Sequence, residues 1–149
     1  MKVDHLTPVL NVASVPESIA WFEKLGWERS FTWNEGGMIH AAADANAHGD
    51  ADFGGVRSGD TTLFLCQDGQ GQRGAAPLTD PPSDDGAGGM WMSFWLDTPA
   101  DVDAAHARAV EHGIMVTMPP ADEPWGVREC RIMHPDGHVF RLSSGLDRG

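Results

Sequence analysis

The sequence predicts an α+β fold made of two tandem modules, each with one strand, one helix and three further strands. Three observations support this prediction. In each half a strand is followed by a helix-capping sequence, Ser-Val-Pro-Glu from Ser14 and Thr-Pro-Ala-Asp from Thr98. Each predicted helix stops at a glycine, Gly26 or Gly113, and another strand follows. A Gly- and Pro-rich stretch, residues 68–89, separates the halves as a linker.

The first module covers residues 1–67. Residues 6–12 are mostly apolar and form its first predicted strand. The helix that follows carries Val15, Ile19 and Phe22 at i, i+4 and i+7, so one of its faces is apolar. The remaining predicted strands are residues 27–33, 53–57 and 61–67.

An Ala-, Gly- and Asp-rich segment, residues 34–52, interrupts the first module. His40 and His48 lie in it, which makes a metal site conceivable. No carboxylate or histidine recurs at ligand spacing in an ordered element, however. We therefore interpret residues 34–52 as a solvated insertion loop.

The second module covers residues 90–149. Its first two predicted strands, residues 90–97 and 114–118, flank a helix that turns Val102 and Ala109, together with Ala105, towards the core. The module ends in a hairpin, in which a Pro-Asp-Gly turn joins residues 127–133 to residues 138–143.

Side chains of this last hairpin alternate between two faces. One face is small or apolar and suits packing on a helix: Cys130, Ile132, Phe140 and Leu142. The other face is too polar for a core and carries an acid and two arginines: Glu129, Arg131, Val139, Arg141 and Ser143. This second face suggests the wall of a ligand cavity, and the alternative is an ordinary solvent-facing sheet.

Composition excludes several classes of protein. A net charge of −12 argues against a nucleic-acid or anionic-membrane surface, since phosphate binding needs a basic face. No segment has the length or apolarity of a membrane span or a signal peptide. The two cysteines, Cys66 and Cys130, show no metal-ligand spacing. We expect a cytoplasmic protein with two reduced thiols.

Two motifs, SI-x-W-F-x-x-LGW from Ser18 and PWG-x-R-x with PDGH-x-F-x-L from Pro124, occur in these two βαβββ halves. Together they resemble the vicinal oxygen chelate superfamily, which holds glyoxalase I, extradiol dioxygenases, fosfomycin-resistance enzymes and bleomycin-resistance binding proteins. The resemblance covers the chain apart from the two Gly/Ala/Asp-rich stretches. It implies that the modules form cupped mixed sheets around a ligand cavity, and that the protein is a homodimer.

The enzymes of that family bind a divalent metal through one residue on each of four strands. By pattern, these positions fall here at Thr7, at Thr62 or Phe64, at Trp91 and at Arg141. None of these side chains is a good ligand for a divalent cation, which needs His, carboxylate or thiolate donors. We therefore expect a protein without metal or other cofactor. A shifted site made of His5, Glu129 and a loop histidine is the alternative.

Aromatic rings and a few polar anchors then make up the expected pocket, which suits a small, flat, aromatic molecule. The expected lining is Thr7, Asn11, Phe64, Cys66, Trp91, Ser93, Trp95, Glu129, Arg131, Val139 and Arg141, with Trp33 and Trp125 at the rims. Arg141 is suited to hold a carboxylate, phenolate or quinone oxygen, or else it pairs with Glu129. In the alternative interpretation, Trp91 and Trp95 fill a collapsed core.

No pair of a nucleophile and a base is evident in the sequence, so no catalytic residue is assigned. The resemblance to the metal-free branch favours sequestration of an aromatic or natural-product antibiotic by binding alone. A glyoxalase-like lyase, isomerase or dioxygenase acting on a small oxygenated metabolite is the second hypothesis. A ligand-sensing or orphan binding module is the third.

Overall fold

The computed structural model describes residues 1–41, 43, 45–67 and 90–147. The chain divides into two compact units, Met1–Ala75 and Ala76–Gly149. The expected linker, residues 68–89, lies outside the described residues. The elements of the first unit are β1 (Val9–Val12), α1 (Val15–Lys24), β2 (Glu28–Asn34), β3 (Gly37–His40), a short 3₁₀ helix (Ala45–His48), β4 (Phe53–Ser58) and β5 (Thr61–Gln67). Those of the second unit are β6 (Trp91–Trp95), α2 (Pro99–Glu111), β7 (Met115–Glu123), β8 (Val127–Met133) and β9 (Val139–Gly145).

In the first unit, five strands form one mixed sheet in the order β1-β5-β4-β2-β3. Strand β1 is parallel to β5, and the other neighbouring strands are antiparallel. Helix α1 packs its predicted apolar residues Val15, Ile19 and Phe22 against this sheet. Its N-terminus is capped by Ser14, whose side chain accepts from the N–H of Glu17 at 3.3 Å.

In the second unit, four strands form a mixed sheet in the order β6-β9-β8-β7, again with the first strand parallel to the last. Helix α2 begins with a complete capping box between Thr98 and Asp101. It buries Val102 and Ala109 against the sheet, while Phe94 and Phe140 stack with their centroids 4.9 Å apart. The predicted α+β fold with two mixed sheets is therefore confirmed.

Some element boundaries differ from the prediction. Strand β1 begins at Val9 rather than at residue 6, because Pro8 has no N–H to donate to the ladder; its carbonyl still accepts from Phe64. Strand β7 is longer than expected and contains two register shifts, one between Val116 and Met118 and one between Met118 and Ala121, at Pro119 and Pro120.

Residues 34–52 are not simply a solvated loop, which corrects the interpretation of that segment. They contain β3, which pairs with β2, and the 3₁₀ helix, in which His48 is buried. Relative to the second unit, β3 is an additional strand on the outer side of β2.

Helices α1 and α2 have 10 and 13 residues. Across the described part of the chain, no helix is long and apolar enough to cross a membrane.

Candidate functional site

One face of the second sheet brings together most of the predicted binding residues of the second unit. Ser93 of β6 lies beside Arg141 of β9, and Arg131 of β8 lies opposite Arg141. Residues paired in this way point to the same side of a sheet. We call the side turned away from α2 the far face of the second sheet. Strands β6, β8 and β9 contribute Trp91, Ser93, Trp95, Val127, Glu129, Arg131, Met133, Val139, Arg141 and Ser143. The residues of β7 paired with this side are Met115, Met118, Ala121 and Glu123.

An arginine cluster, defined as Glu129, Arg131 and Arg141, lies on this far face. Arg131 Nε donates to Glu129 Oε1 at 2.9 Å, and Arg141 Nη2 donates to Glu129 Oε2 at 2.5 Å. Glu129 is fully buried, whereas the side chains of Arg131 and Arg141 are 24% and 32% exposed. The cluster therefore holds two cations on one buried anion and keeps a net charge of +1.

Glu129 is ionised in this setting. Burial raises the pKa of its carboxyl, but hydrogen bonds from Arg141 and Arg131 and the charges of both arginines lower it. The resulting pKa lies below the ordinary value of 4.5. Arg141 is described with one hydrogen bond, from Nη2 to Glu129, and its buried Nε has no partner within the described residues. A partly exposed guanidinium of this kind can donate charge-assisted hydrogen bonds to an oxyanion.

An exposed indole ring borders the arginine cluster, and two more exposed indoles lie in the same unit. The guanidinium carbon of Arg131 lies 5.3 Å from the ring centroid of Trp91, which is cation–π geometry. Trp91 is nevertheless 43% exposed, and Trp95 on the same strand is 64% exposed. Trp125, in the turn between β7 and β8, is 60% exposed. Three accessible indoles in one unit offer surfaces on which a flat ligand can stack.

The far face of the first sheet, turned away from α1, carries a phenylalanine cluster, defined as Phe31, Phe53 and Phe64. The three ring centroids are 5.4 to 5.9 Å apart. Gly55 makes room for the Phe31 ring, since a Cβ atom at Gly55 would lie 2.7 Å from Phe31 Cε1. All three rings are half-buried, and the partly exposed Trp33 lies on β2 beside Phe53.

The remaining predicted pocket residues differ in accessibility. Asn11 and Cys66 pair on the first sheet, with Cys66 Sγ donating to Asn11 Oδ1 at 3.7 Å, and Cys66 is buried. Thr7 precedes β1 and is half-buried. Val139 is fully buried although it belongs to the far face of the second sheet. A ligand therefore has little direct access to Cys66 and Val139.

Two members of the phenylalanine cluster, Phe31 and Phe53, were not among the predicted site residues. Their neighbours become known only from the strand pairing, which places Phe31 and Phe64 on either side of Gly55. The period-two alternation of β2 and β4 was the signal available for finding them.

Three histidines are buried, and one of them, His48, lies in the segment that we interpreted as a solvated loop. His48 Nδ1 is 2.5 Å from Thr32 Oγ1, which fixes the 3₁₀ helix against β2. His134 and His138 flank the turn between β8 and β9, where their nitrogens accept from the N–H groups of Asp136 and Met90. Burial lowers the pKa of His134 to about 4. These histidines have structural hydrogen bonds and are not solvated.

The donor set at the four family metal positions does not fit a divalent cation. Thr7 lies outside β1, Trp91 offers no lone pair, and Arg141 would place a positive charge beside the ion. In addition, no group of three or more His, Cys, Asp or Glu side chains arranged for a metal occurs in the part of the chain that is described. Burial raises the pKa of Cys130 to about 12, so its thiol is protonated and a poor ligand.

Two surface cavities of about 130 and 260 Å³ lie in the first unit. The smaller is bordered by Ile19, Glu23, Arg29 and His48, and the larger by Glu28, Arg57 and Gly59. Neither includes a residue of the phenylalanine cluster or of the arginine cluster.

A protein-family model described as the Glyoxalase/Bleomycin resistance protein/Dioxygenase superfamily matches residues 2–142. No curated protein matches the chain in sequence.

Several solved structures are similar to this chain. TioX from Micromonospora sp. ML1 is 15% identical with a TM-score of 0.68, covering 97% of this chain and 100% of TioX. A bleomycin-binding protein complexed with bleomycin is 18% identical with a TM-score of 0.60, at coverages of 96% and 99%. The fosfomycin resistance protein FosX from Listeria monocytogenes is 13% identical with a TM-score of 0.64, at coverages of 97% and 95%. At these identities the likeness establishes the fold alone.

Proposed function

Because the chain belongs to the glyoxalase/bleomycin resistance protein/dioxygenase superfamily, we propose that it binds a small aromatic molecule on the far face of the second sheet. We further propose that it sequesters an aromatic or natural-product antibiotic without changing it chemically, as a self-resistance protein does. The structures with the same fold include a bleomycin-binding protein with its ligand and a fosfomycin resistance protein.

The observation that carries this proposal is the state of Trp91. Its indole has Arg131 at 5.3 Å and still exposes 43% of its surface. An aromatic ring held in place by a cation but left accessible favours stacking of a flat ligand over filling of a core. The alternative, that Trp91 and Trp95 fill a collapsed core, is less well supported because both rings are exposed.

A metal-dependent reaction is the weaker candidate for this site. A cation at the fourth family position would lie against Arg141, whose guanidinium is already held by Glu129. The arginine cluster is instead suited to binding and orienting a ligand that accepts hydrogen bonds.

Replacement of Trp91 by alanine tests the proposal. A panel of bleomycin, mitomycin and anthraquinone compounds is titrated while intrinsic tryptophan fluorescence is recorded. We expect saturable quenching by at least one compound, with a Kd of about 1 μM. Trp91→Ala is expected to raise that Kd about tenfold, because a stacked ring contributes roughly 0.5–1.5 kcal/mol beyond its area.

A matched control is Trp27→Phe, which removes an indole from the first unit and keeps an aromatic ring against Phe22. This control is expected to leave the Kd unchanged. The urea midpoint of Trp91→Ala is expected to remain near that of the parent protein. Unfolding of that variant would show that the ring belongs to a core, and a panel without any binder would contradict the function.

We also propose that the protein is a cytoplasmic homodimer. Strands β6 and β7 are the two edges of the second sheet, and unpaired edges favour association with another chain. Light scattering is expected to give about twice the chain mass of 16.0 kDa. A monomer at micromolar concentration would contradict the dimer without bearing on ligand binding.

A further inference from the structure

We infer that the ligand of the second sheet is anionic: an aromatic carboxylate whose negative charge is held by Arg141 next to the Trp91 ring. This inference rests on the proposed function, since it names the chemical class of the molecule that the same face binds.

The charge of the arginine cluster differs in sign from that of the whole chain. The chain carries a net charge of −12, which repels anions over most of its surface. On β6, β8 and β9 the charged far-face residues are Glu129, Arg131 and Arg141, which sum to +1; Glu123, opposite Val127, lies on the edge strand β7. A positive site on an acidic protein is the place where an anion is bound most favourably.

The excess charge is not required for a structural ion pair. One arginine is enough to neutralise Glu129, yet Arg131 and Arg141 both contact it. These two arginines are direct partners across β8 and β9, and like charges opposite one another destabilise a sheet. An anionic ligand neutralises this excess, so its binding removes an unfavourable interaction that exists in the free protein.

The two arginines are not equally available to a ligand. Arg131 is engaged by the Glu129 carboxylate and also lies over the Trp91 ring. Arg141 is described with a single hydrogen bond, from Nη2 to Glu129, and no aromatic ring is described over it; its Nε is buried and lacks a partner within the described residues. Its side chain is also the more exposed, at 32% against 24%. Arg141 is therefore the residue that receives the carboxylate.

A pair of probes that differ in charge alone tests this inference. Anthraquinone-2-carboxylate and anthraquinone-2-carboxamide have nearly the same shape and ring system. Isothermal titration calorimetry measures both affinities. We expect the carboxylate to bind about tenfold more tightly than the amide, because only the carboxylate forms a charge-assisted hydrogen bond with the arginine. Raising the salt concentration from about 0.05 to about 0.5 M is expected to weaken binding of the carboxylate and to leave binding of the amide unchanged.

Three variants locate the effect. Arg141→Gln is expected to remove the preference for the carboxylate and to leave amide binding within about twofold. Arg141→Lys, which keeps the charge and the contact with Glu129, is expected to keep part of the preference. The matched control is Arg57→Gln, which changes the net charge equally but removes an exposed Arg57–Glu28 pair in the first unit. This control is expected to leave both affinities unchanged.

The outcomes separate the inference from the proposed function. Equal binding of the two probes, or a preference that persists in Arg141→Gln, overturns the inference and leaves aromatic binding intact. A preference lost equally in Arg57→Gln overturns it as well, because the effect is then one of total charge. Binding of neither probe, nor of any compound in the earlier panel, contradicts the proposed function itself.

Discussion

The first strands of the two units, β1 and β6, can be aligned through the helix that follows each of them. Val9 lies five residues before the N-cap Ser14, and Ser93 lies five residues before the N-cap Thr98. Val9 pairs with Phe64 in one parallel ladder, and Ser93 pairs with Arg141 in the other. The antiparallel ladders then extend the alignment to the neighbouring strand. Three pairs of equivalent positions follow: Phe64 with Arg141, Gly55 with Arg131, and Phe53 with Glu129.

These equivalent positions differ fully in chemistry. In the first unit they hold two phenylalanines around a glycine, which Phe31 covers from the next strand. In the second unit they hold the arginine cluster. The same backbone pattern therefore supports an apolar cluster in one unit and a charged cluster in the other. The helix-facing side of each sheet, in contrast, is mostly apolar in both units, with residues such as Leu65 and Val56 in the first and Ile132 and Phe140 in the second. The residue types on the helix-facing side are therefore constrained by packing of the core, whereas those on the far side can differ between the units.

The largest expected effect comes from Glu129→Ala, which removes the anion from the arginine cluster. Its buried carboxylate compensates two cations that face each other across β8 and β9. We expect the free energy of unfolding to fall by about 3 kcal/mol, measured by urea denaturation.

The matched control for Glu129→Ala is Glu28→Ala in the first unit. Glu28 pairs with Arg57 at 2.7 Å, but its side chain is 67% exposed. An exposed pair is expected to contribute less than about 1 kcal/mol. Equal losses in the two variants would show that burial does not distinguish the two units.

A smaller loss of stability is expected at acidic pH. It distinguishes the β4–β5 turn of the first unit from the β8–β9 turn of the second. The turn of the first unit, residues 58–61, is exposed, whereas His134 in the second is 3% exposed. Burial lowers the pKa of His134 from 6.5 to about 4; Asp136 opposes this shift and His138 adds to it. Between these values the unfolded chain binds the proton more readily, so stability falls as the pH falls through this window. We expect His134 to account for a loss of roughly 2 kcal/mol by pH 4.5.

His134→Asn isolates this contribution. An asparagine oxygen can accept from the N–H of Asp136 in place of His134 Nδ1, but the side chain does not titrate. Between pH 7.5 and pH 4.5, the free energy of unfolding of the variant is expected to fall by roughly 2 kcal/mol less than that of the parent protein. Urea denaturation at both pH values measures this difference. Parallel pH profiles for the two proteins would assign the acid sensitivity to other groups.

The smallest effect concerns Gly55, the glycine at the position equivalent to Arg131. A Cβ atom there would lie 2.6 Å from Ser30 Oγ and 2.7 Å from Phe31 Cε1. Gly55→Ala is therefore expected to displace the Phe31 ring and to lower the free energy of unfolding by about 1 kcal/mol, measured by urea denaturation. The control is Gly36→Ala, where the nearest atom is the end of the Asn34 side chain at 3.0 Å. A change there within about 0.5 kcal/mol is expected, and a larger loss than at Gly55 would refute the packing argument.

Part of the candidate site follows from sequence alone. Alternation along the last hairpin correctly places Glu129, Arg131 and Arg141 on the face opposite Phe140. The burial of Glu129 beneath both arginines does not follow from alternation, because it depends on how β8 and β9 are registered. The burial of His48 was missed for a related reason. Its partner Thr32 lies on β2, and no local periodicity connects the two.

The strand-helix-strand start of each unit, the capped beginnings of the helices and the two faces of each strand follow from the sequence. These properties arise from interactions among residues a few positions apart, such as Thr98 with Asp101. The tertiary structure decided which far-face residues become neighbours. Ser93 and Arg141 meet only through the parallel pairing of β6 with β9, across the whole of α2, β7 and β8. Such pairing is fixed by packing of the assembled sheet on its helix, which no short stretch of the chain encodes.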